Sequence, residues 1–179
     1  MDELIDLVNE DGSKTGKTCL KSLAHKNGFM HSSVHIWIFD VEKNVLIQKR
    51  AIDKDCFPNL WDVSVAGHIS AGETPIISAL REIHEEIGLK VSKTDLLFLS
   101  SFRKNVRHSE DFIDNELHHI YICNLNFNLI ELIIQESEVS EVTSIPLNKL
   151  ISKINSSYNS FVPHGKNYYK LVFNFIESF

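Results

Sequence analysis

The clearest pattern of apolar and polar positions runs over residues 75–87. Ile76, Leu80, Ile83 and Ile87 fall within about a 60° arc when each residue turns 100°, which predicts an amphipathic helix with its stripe against a core. Thr74 stands at the N-cap, Pro75 suits the first turn, and Gly88 follows where a left-handed C-terminal residue ends a helix. Elsewhere the pattern reads as short strands. Residues 4–8 form one, and the turn cluster 9–13 follows it. Residues 19–26 read as a short helix stopped at Asn27-Gly28. Val34–Phe39 and Val45–Gln48 form a hairpin across the polar turn 40–44. Residues 51–61 contain Pro58 and no clear period, so they form a loop, and Val63–Val65 is a short strand ending at Gly67. Further strands are expected near 96–102, 117–123 and 138–143, with helices at 146–154 and 168–176. The stretch 125–137 fits neither period. Hairpins mixed with crossovers predict an α/β fold with a mixed sheet and helices on both faces.

The chain of 179 residues suits a single domain spanning 1–179. Its net charge of −6 argues against a general nucleic-acid partner, which would need a basic face to displace counterions. An acidic chain that handles a phosphate must recruit cations to hold it. Cys19, Cys56 and Cys123 are odd in number and widely spaced, so reduced thiols are expected. The N-terminus is acidic and no apolar run reaches membrane-span length, so the expected setting is cytoplasmic, without a membrane partner.

Chemistry concentrates in residues 67–89. On the predicted helix Glu82, Glu85 and Glu86 stand at i, i+3 and i+4, one face opposite the isoleucine stripe and facing solvent. Three carboxylates that close repel one another, and a hard divalent cation such as Mg²⁺ or Mn²⁺ reverses the sign. A solvated acidic face is the plain alternative for three glutamates alone. Arg81 is placed to pair with Glu73, and Gly67 lets the backbone pass close and offer its carbonyl.

The whole segment resembles the Nudix box: Gly67, five residues, Glu73, seven residues, Arg81-Glu82, an aliphatic, one residue, Glu85-Glu86, one residue, Gly88, an aliphatic. That resemblance implies an α/β/α sandwich and hydrolysis of a nucleoside diphosphate derivative or another small diphosphate. It implies Glu82, Glu85, Glu86 and the Gly67 carbonyl as metal ligands for Mg²⁺ or Mn²⁺. Glu73 and Arg81 become the pair that orients them. The general base is one of these glutamates or a later one, Glu136 or Glu138, with Gln135 adjacent.

A second resemblance extends beyond the box. Ala24-His25, His31, Val34–Phe39, Trp61–His68 and Asp114-Asn115-Glu116 are similar to the isopentenyl-diphosphate isomerase branch. It implies a second metal site formed by His25, His31, His68, Asp114 and Glu116. Two features separate the chain from that branch. The isomerase cysteine position is Ala66, and the full hydrolase glutamate pattern is kept, so hydrolysis on an isomerase-like scaffold is expected. A nucleotide-sensing domain that does not cut is a third reading, and retention of all three glutamates opposes it. Lys49, Arg50, Lys54, Arg103, Lys104 and Arg107, in turns or at strand ends, are candidates to hold phosphate, with Lys49-Arg50 at the end of the hairpin strand foremost, and Trp61 and Phe57 are candidates to stack on a base or cover an isoprenoid tail. No role is assigned to His108, His118 or His119. The region 125–179 carries no motif and is left to shape the pocket or a homodimer contact.

Overall fold

The computed structural model describes residues 2–179, the Tyr158 side chain excepted. Its centre is β3 (His31–Phe39), whose nine residues are all buried. They are buried because both edges and both faces of the strand are covered. β6 (Val65–His68) pairs antiparallel with residues 33–36, and β8 (Phe112–Asn124) pairs parallel along the whole strand. β1 (Leu4–Val8) joins at Leu7↔His31 and carries β2 (Lys14–Leu20). β4 (Asn44–Arg50) meets β3 at Phe39↔Val45, and then pairs with β5 (Trp61–Asp62) and β9 (Val139–Pro146). β7 (Leu97–Ser109) closes the other side on β8. The parallel β3–β8 pair among antiparallel ones makes the sheet mixed, as expected.

Alternation along β3 sorts the two cores. Val34, Ile36 and Ile38 face α2 (Pro75–Ile87), where Ala79, Ile83 and Ile87 pack against them. Trp37 and Phe39 face the opposite layer, packed on Leu147, Leu150 and Ile154 of α3 (Leu147–Ser156) and on Tyr168, Val172, Phe173 and Ile176 of α4 (Lys166–Ser178). Helices therefore cover both faces, giving the α/β/α sandwich. A short α1 (Lys21–Asn27) ends at Gly28, whose φ of 65° is the left-handed C-terminal turn.

Several local expectations need correction. Residues 14–20 form β2, so Cys19 and Leu20 belong to a strand and the helix begins at Lys21. That strand is exposed on nearly all positions, so it carries no apolar alternation to read. Thr74 occupies the N-cap of α2, but its side chain makes no capping bond. β7 and β8 form a hairpin far longer than predicted, because its outer half alternates polar residues over solvent. Residues 125–137 are mostly irregular with one 3₁₀ turn, Leu129–Glu131. The three cysteines are free. Among the described residues no helix is long and apolar enough to cross a membrane.

Candidate active site

A cavity of about 380 Å³ opens where β3, β6 and β8 meet the C-terminal half of α2 and the loops after β4 and before β9. Glu82, Glu85 and Glu86 enter it from α2, beside Ala66 and Gly67 of β6. Gly67 is needed for that approach. A Cβ there would lie 2.1 Å from the Glu82 carboxyl carbon. Arg81 holds the group together: it donates to Glu73 at 3.2 Å, Glu82 at 2.8 Å, Glu85 at 3.0 Å and the His68 carbonyl at 3.1 Å. The Ser78 hydroxyl adds a second donor to Glu73 at 2.5 Å.

The expectation that Glu86 faces solvent is wrong. Glu86 is 3% exposed and Glu82 is 8% exposed. On a 3.6-residue helix Glu86 lies only ~60° from Ile83, so it sits on the flank of the apolar stripe rather than opposite it. Gln48 Nε2 and the Ala66 N–H donate to its Oε2, at 3.1 and 3.3 Å. Burial, together with the charge of Glu82, pushes Glu86 well above the usual carboxylate range. Burial likewise raises Glu82 to about 7 despite the nearby Arg81. Two buried carboxyls that resist ionisation are a donor set whose charged forms a bound cation would favour.

A second set stands next to the first. One ligand atom each from His25, His31, His68 and Glu116 lie within 4.8 Å of one another. His25 and His68 approach Nε2 to Nε2 at 3.2 Å, and both His31 and His68 lie 3.7 Å from Glu116. Despite burial, the neighbouring His118, His31 and His68 rings hold the Glu116 carboxyl well below its ordinary range. Asp114, expected as a fifth ligand, is not in this group. It lies behind the His25 ring, 3.2 Å from Nδ1, and accepts from His108 Nε2 at 2.6 Å. An acceptor at Nδ1 places the His25 proton there and leaves Nε2 bare toward the cluster, the arrangement that suits a metal-bound imidazole.

A NUDIX domain model matches residues 30–165. The chain belongs to the Nudix family. A Nudix hydrolase 3 from Arabidopsis thaliana is 34% identical over 93% of this chain, which spans only 22% of that protein's length. An isopentenyl-diphosphate Delta-isomerase from Serratia proteamaculans is 34% identical over 68% of the chain and 66% of its own length. In fold, a crystal structure from Deinococcus radiodurans covers 98% of both chains at a TM-score of 0.72 with 20% identity. The chain is thus a Nudix hydrolase by family, and that family acts on diphosphate-containing substrates with the help of a divalent metal.

The residues present fit such an ion. Glu82 and Glu86 are buried acids short of positive charge, and the glycine at 67 leaves no side chain between them and its own carbonyl. The His31 Nε2 atom is buried without a hydrogen-bond partner among the described residues, as a waiting imidazole ligand would be.

The phosphate candidates divide. Arg50 lines the cavity and pairs with Asp62 at 3.1 Å, and Glu138 lines it in an ion pair with Lys54. Lys49 and Trp61 do not line it. Lys49 lies 6.0 Å from the Trp61 ring, and Trp61 borders a separate groove beside β9. Strand alternation explains this: Lys49 points to the face opposite Arg50. Gln135 lines the cavity, whereas Glu136 is exposed and does not. Lys54 and Lys104, two of the expected phosphate candidates, line the cavity, whereas Arg103 and Arg107 do not; sequence reasoning missed Lys21, which lines it from α1. It also missed Asp62, His118 and His164. His118, two positions from Glu116 on the same face of β8, was within reach of strand periodicity; Asp62 and His164 carry no spacing signal because they meet 102 residues apart.

Proposed function

We propose that this protein hydrolyses the P–O–P bridge of a small-molecule diphosphate, with Glu82, Glu85, Glu86 and the Gly67 carbonyl holding Mg²⁺ or Mn²⁺. The observation that carries this reading is the burial of Glu82 and Glu86, with raised proton affinity, against Gly67. Hard oxygen donors select these ions. When bound, the ion neutralises diphosphate oxygens and makes a coordinated water more acidic. The chain supplies the rest. Arg81 and Glu73 fix the carboxylates so that they need not reorganise. Lys21, Lys54 and Lys104 border the cavity from three separate elements and would hold the phosphates, which answers how a chain of net charge −6 holds an anion. Glu138, held at the cavity edge by Lys54, takes a proton from the attacking water. The new P–O bond forms as the bridging P–O bond breaks, and the departing phosphate carries away the electron pair.

The set His25, His31, His68 and Glu116 supports a second ion, for which three imidazoles and a carboxylate suit a first-row transition metal. A single domain over 1–179 and a cytoplasmic setting accord with this reading.

The isomerase reading has one observation in its favour, the same histidine cluster. Ala66 opposes it, since a methyl group cannot exchange a proton with an alkene. Cys56 reaches the cavity, but burial pushes its thiol to about 11, which suits it poorly to replace that group. The deciding experiment is a screen of nucleoside diphosphates, triphosphates, sugar nucleotides and isopentenyl diphosphate with Mg²⁺ or Mn²⁺, reading released products. Cleavage at a diphosphate bond that Glu86→Gln abolishes is expected. Isomerised isopentenyl diphosphate without phosphate release contradicts the proposal.

A further inference from the structure

The inner wall of the cavity carries chemistry that cleavage of a diphosphate does not use. His35 of β3, His118 of β8 and His164, just before α4, are 4%, 4% and 7% exposed. All three border the cavity. His35 stacks on His118 with ring centroids 4.1 Å apart and meets His164 at 4.9 Å.

The groups behind this wall decide which nitrogens are free. Trp37 Nε1 donates to the Tyr168 hydroxyl at 3.0 Å, so that hydroxyl turns its own proton to His35 Nδ1 at 2.8 Å. Burial keeps the Tyr168 phenol protonated, and it keeps His35 neutral. His164 Nε2 donates to Asp62 Oδ1 at 2.6 Å, while Arg50 holds the other oxygen of Asp62 at 3.1 Å. Burial keeps the His164 ring neutral as well. A neutral ring that donates from Nε2 has a bare lone pair on Nδ1. That His164 Nδ1 is buried and has no partner among the described residues. His118 spends Nδ1 on the Ser33 hydroxyl at 2.7 Å, and its Nε2 is likewise buried without a partner.

Buried polar atoms are normally satisfied, and leaving one unmade is the costly case. Here two stand in one cavity wall, and the fold has spent an aspartate and an arginine on fixing the orientation of one of them. We infer that this wall selects the head group carried by the diphosphate: His164 Nδ1 accepts a hydrogen bond from a substrate hydroxyl or N–H, and His118 Nε2 gives a second polar contact. The inference rests on the diphosphate-hydrolase reading and deepens it. A head group made only of hydrocarbon brings C–H to both nitrogens and leaves them unpaired, so it is rejected. A site built to hydrogen-bond its substrate discriminates against the analogue lacking that group far more strongly than an apolar pocket discriminates by size.

The test compares two diphosphates with five-carbon heads, ribose 5-diphosphate and isopentenyl diphosphate, on the full chain with Mg²⁺ or Mn²⁺. We expect kcat/KM for the hydroxylated head to exceed that for the hydrocarbon head by about 10²-fold or more. In His164→Gln the side-chain amide still donates to Asp62 while the ring lone pair is gone, and the preference should shrink by roughly 10-fold. A thermal melt checks that this variant is folded; if it is not, the wild-type comparison decides alone. Equal kcat/KM for the two compounds, or an unchanged ratio in folded His164→Gln, overturns the inference while leaving hydrolysis standing. Cleavage of neither overturns it too, and the wider diphosphate screen then judges the hydrolase reading separately.

Discussion

Two clusters of metal-ligating type share one cavity, and they balance charge in opposite ways. On α2, Glu82 and Glu86 are crowded acids whose proton affinity is raised by burial, although Arg81 pairs with Glu82 and Glu85 and the Lys54 charge acts on Glu86. Across β6, Glu116 is just as buried, yet three imidazoles hold it ionised. The first set is incomplete without an added cation; the second is partly neutralised from within. Catalytic dependence on a divalent ion should therefore fall mainly on the helix, while the histidine set tunes or supplements it.

The largest effect that bears on this contrast comes from Glu86→Gln. It should cut kcat by about 10³-fold while the fold persists, because glutamine keeps the volume at a buried position whose carboxyl already resists ionisation. Steady-state kinetics beside a melting curve checks this, and retained turnover would move the chemistry to the histidine side. Next is Asp62→Asn. Asp62 anchors Arg50 and His164, and although burial pushes its carboxyl up, His164 and Arg50 bring it far below the usual range. Removing its charge leaves a buried guanidinium poorly compensated and should cost about 3 kcal/mol in a denaturant titration. A loss below the scatter of surface substitutions would show that the inner wall is not rigidly held.

Smaller is the effect of His31→Asn in the second cluster. It should lower kcat/KM by roughly 10- to 100-fold and reduce bound transition metal, as metal analysis would report, with the Mg²⁺ requirement unchanged. An effect equal to that of Glu86→Gln would erase the distinction between the clusters. The smallest is a pH trend without metal. Glu82 and Glu86 have folded pKa values above the unfolded value, so the folded state binds more protons and loses stability as pH rises. Between about pH 5 and 7 in a chelator, wild type should fall relative to the Glu82→Gln/Glu86→Gln double variant by roughly 3–6 °C per pH unit for each group still protonated. Excess Mg²⁺ should abolish the trend.

The same contrast explains what could be read from the chain. Glu82, Glu85 and Glu86 lie within five residues of one helix, so their spacing is visible directly, and the expected Arg81–Glu73 pair is present. The strands of the central sheet were legible because β3 and α2 carry strong apolar patterns. β2 was hidden, since an exposed strand has no buried face to mark it. Four of the five expected second-site residues converge, although they come from α1, β3, β6 and β8. Asp114 strayed because its position on β8 puts it behind His25 rather than beside it. Glu86 departs from its expected place because a helix position only ~60° from Ile83 lies on the flank of the apolar stripe, where packing buries it. The Asp62–His164 contact joins β5 to the entry of α4, and only folding brings those segments together.

The most direct measurement of the central claim is Mn²⁺ binding, followed by electron paramagnetic resonance with methylenediphosphonate present as an uncleavable diphosphate. The account predicts that wild type binds the ion, and that Glu82→Gln/Glu86→Gln loses a site that His31→Asn retains. Equal Mn²⁺ occupancy in wild type and the folded double glutamine variant would contradict it.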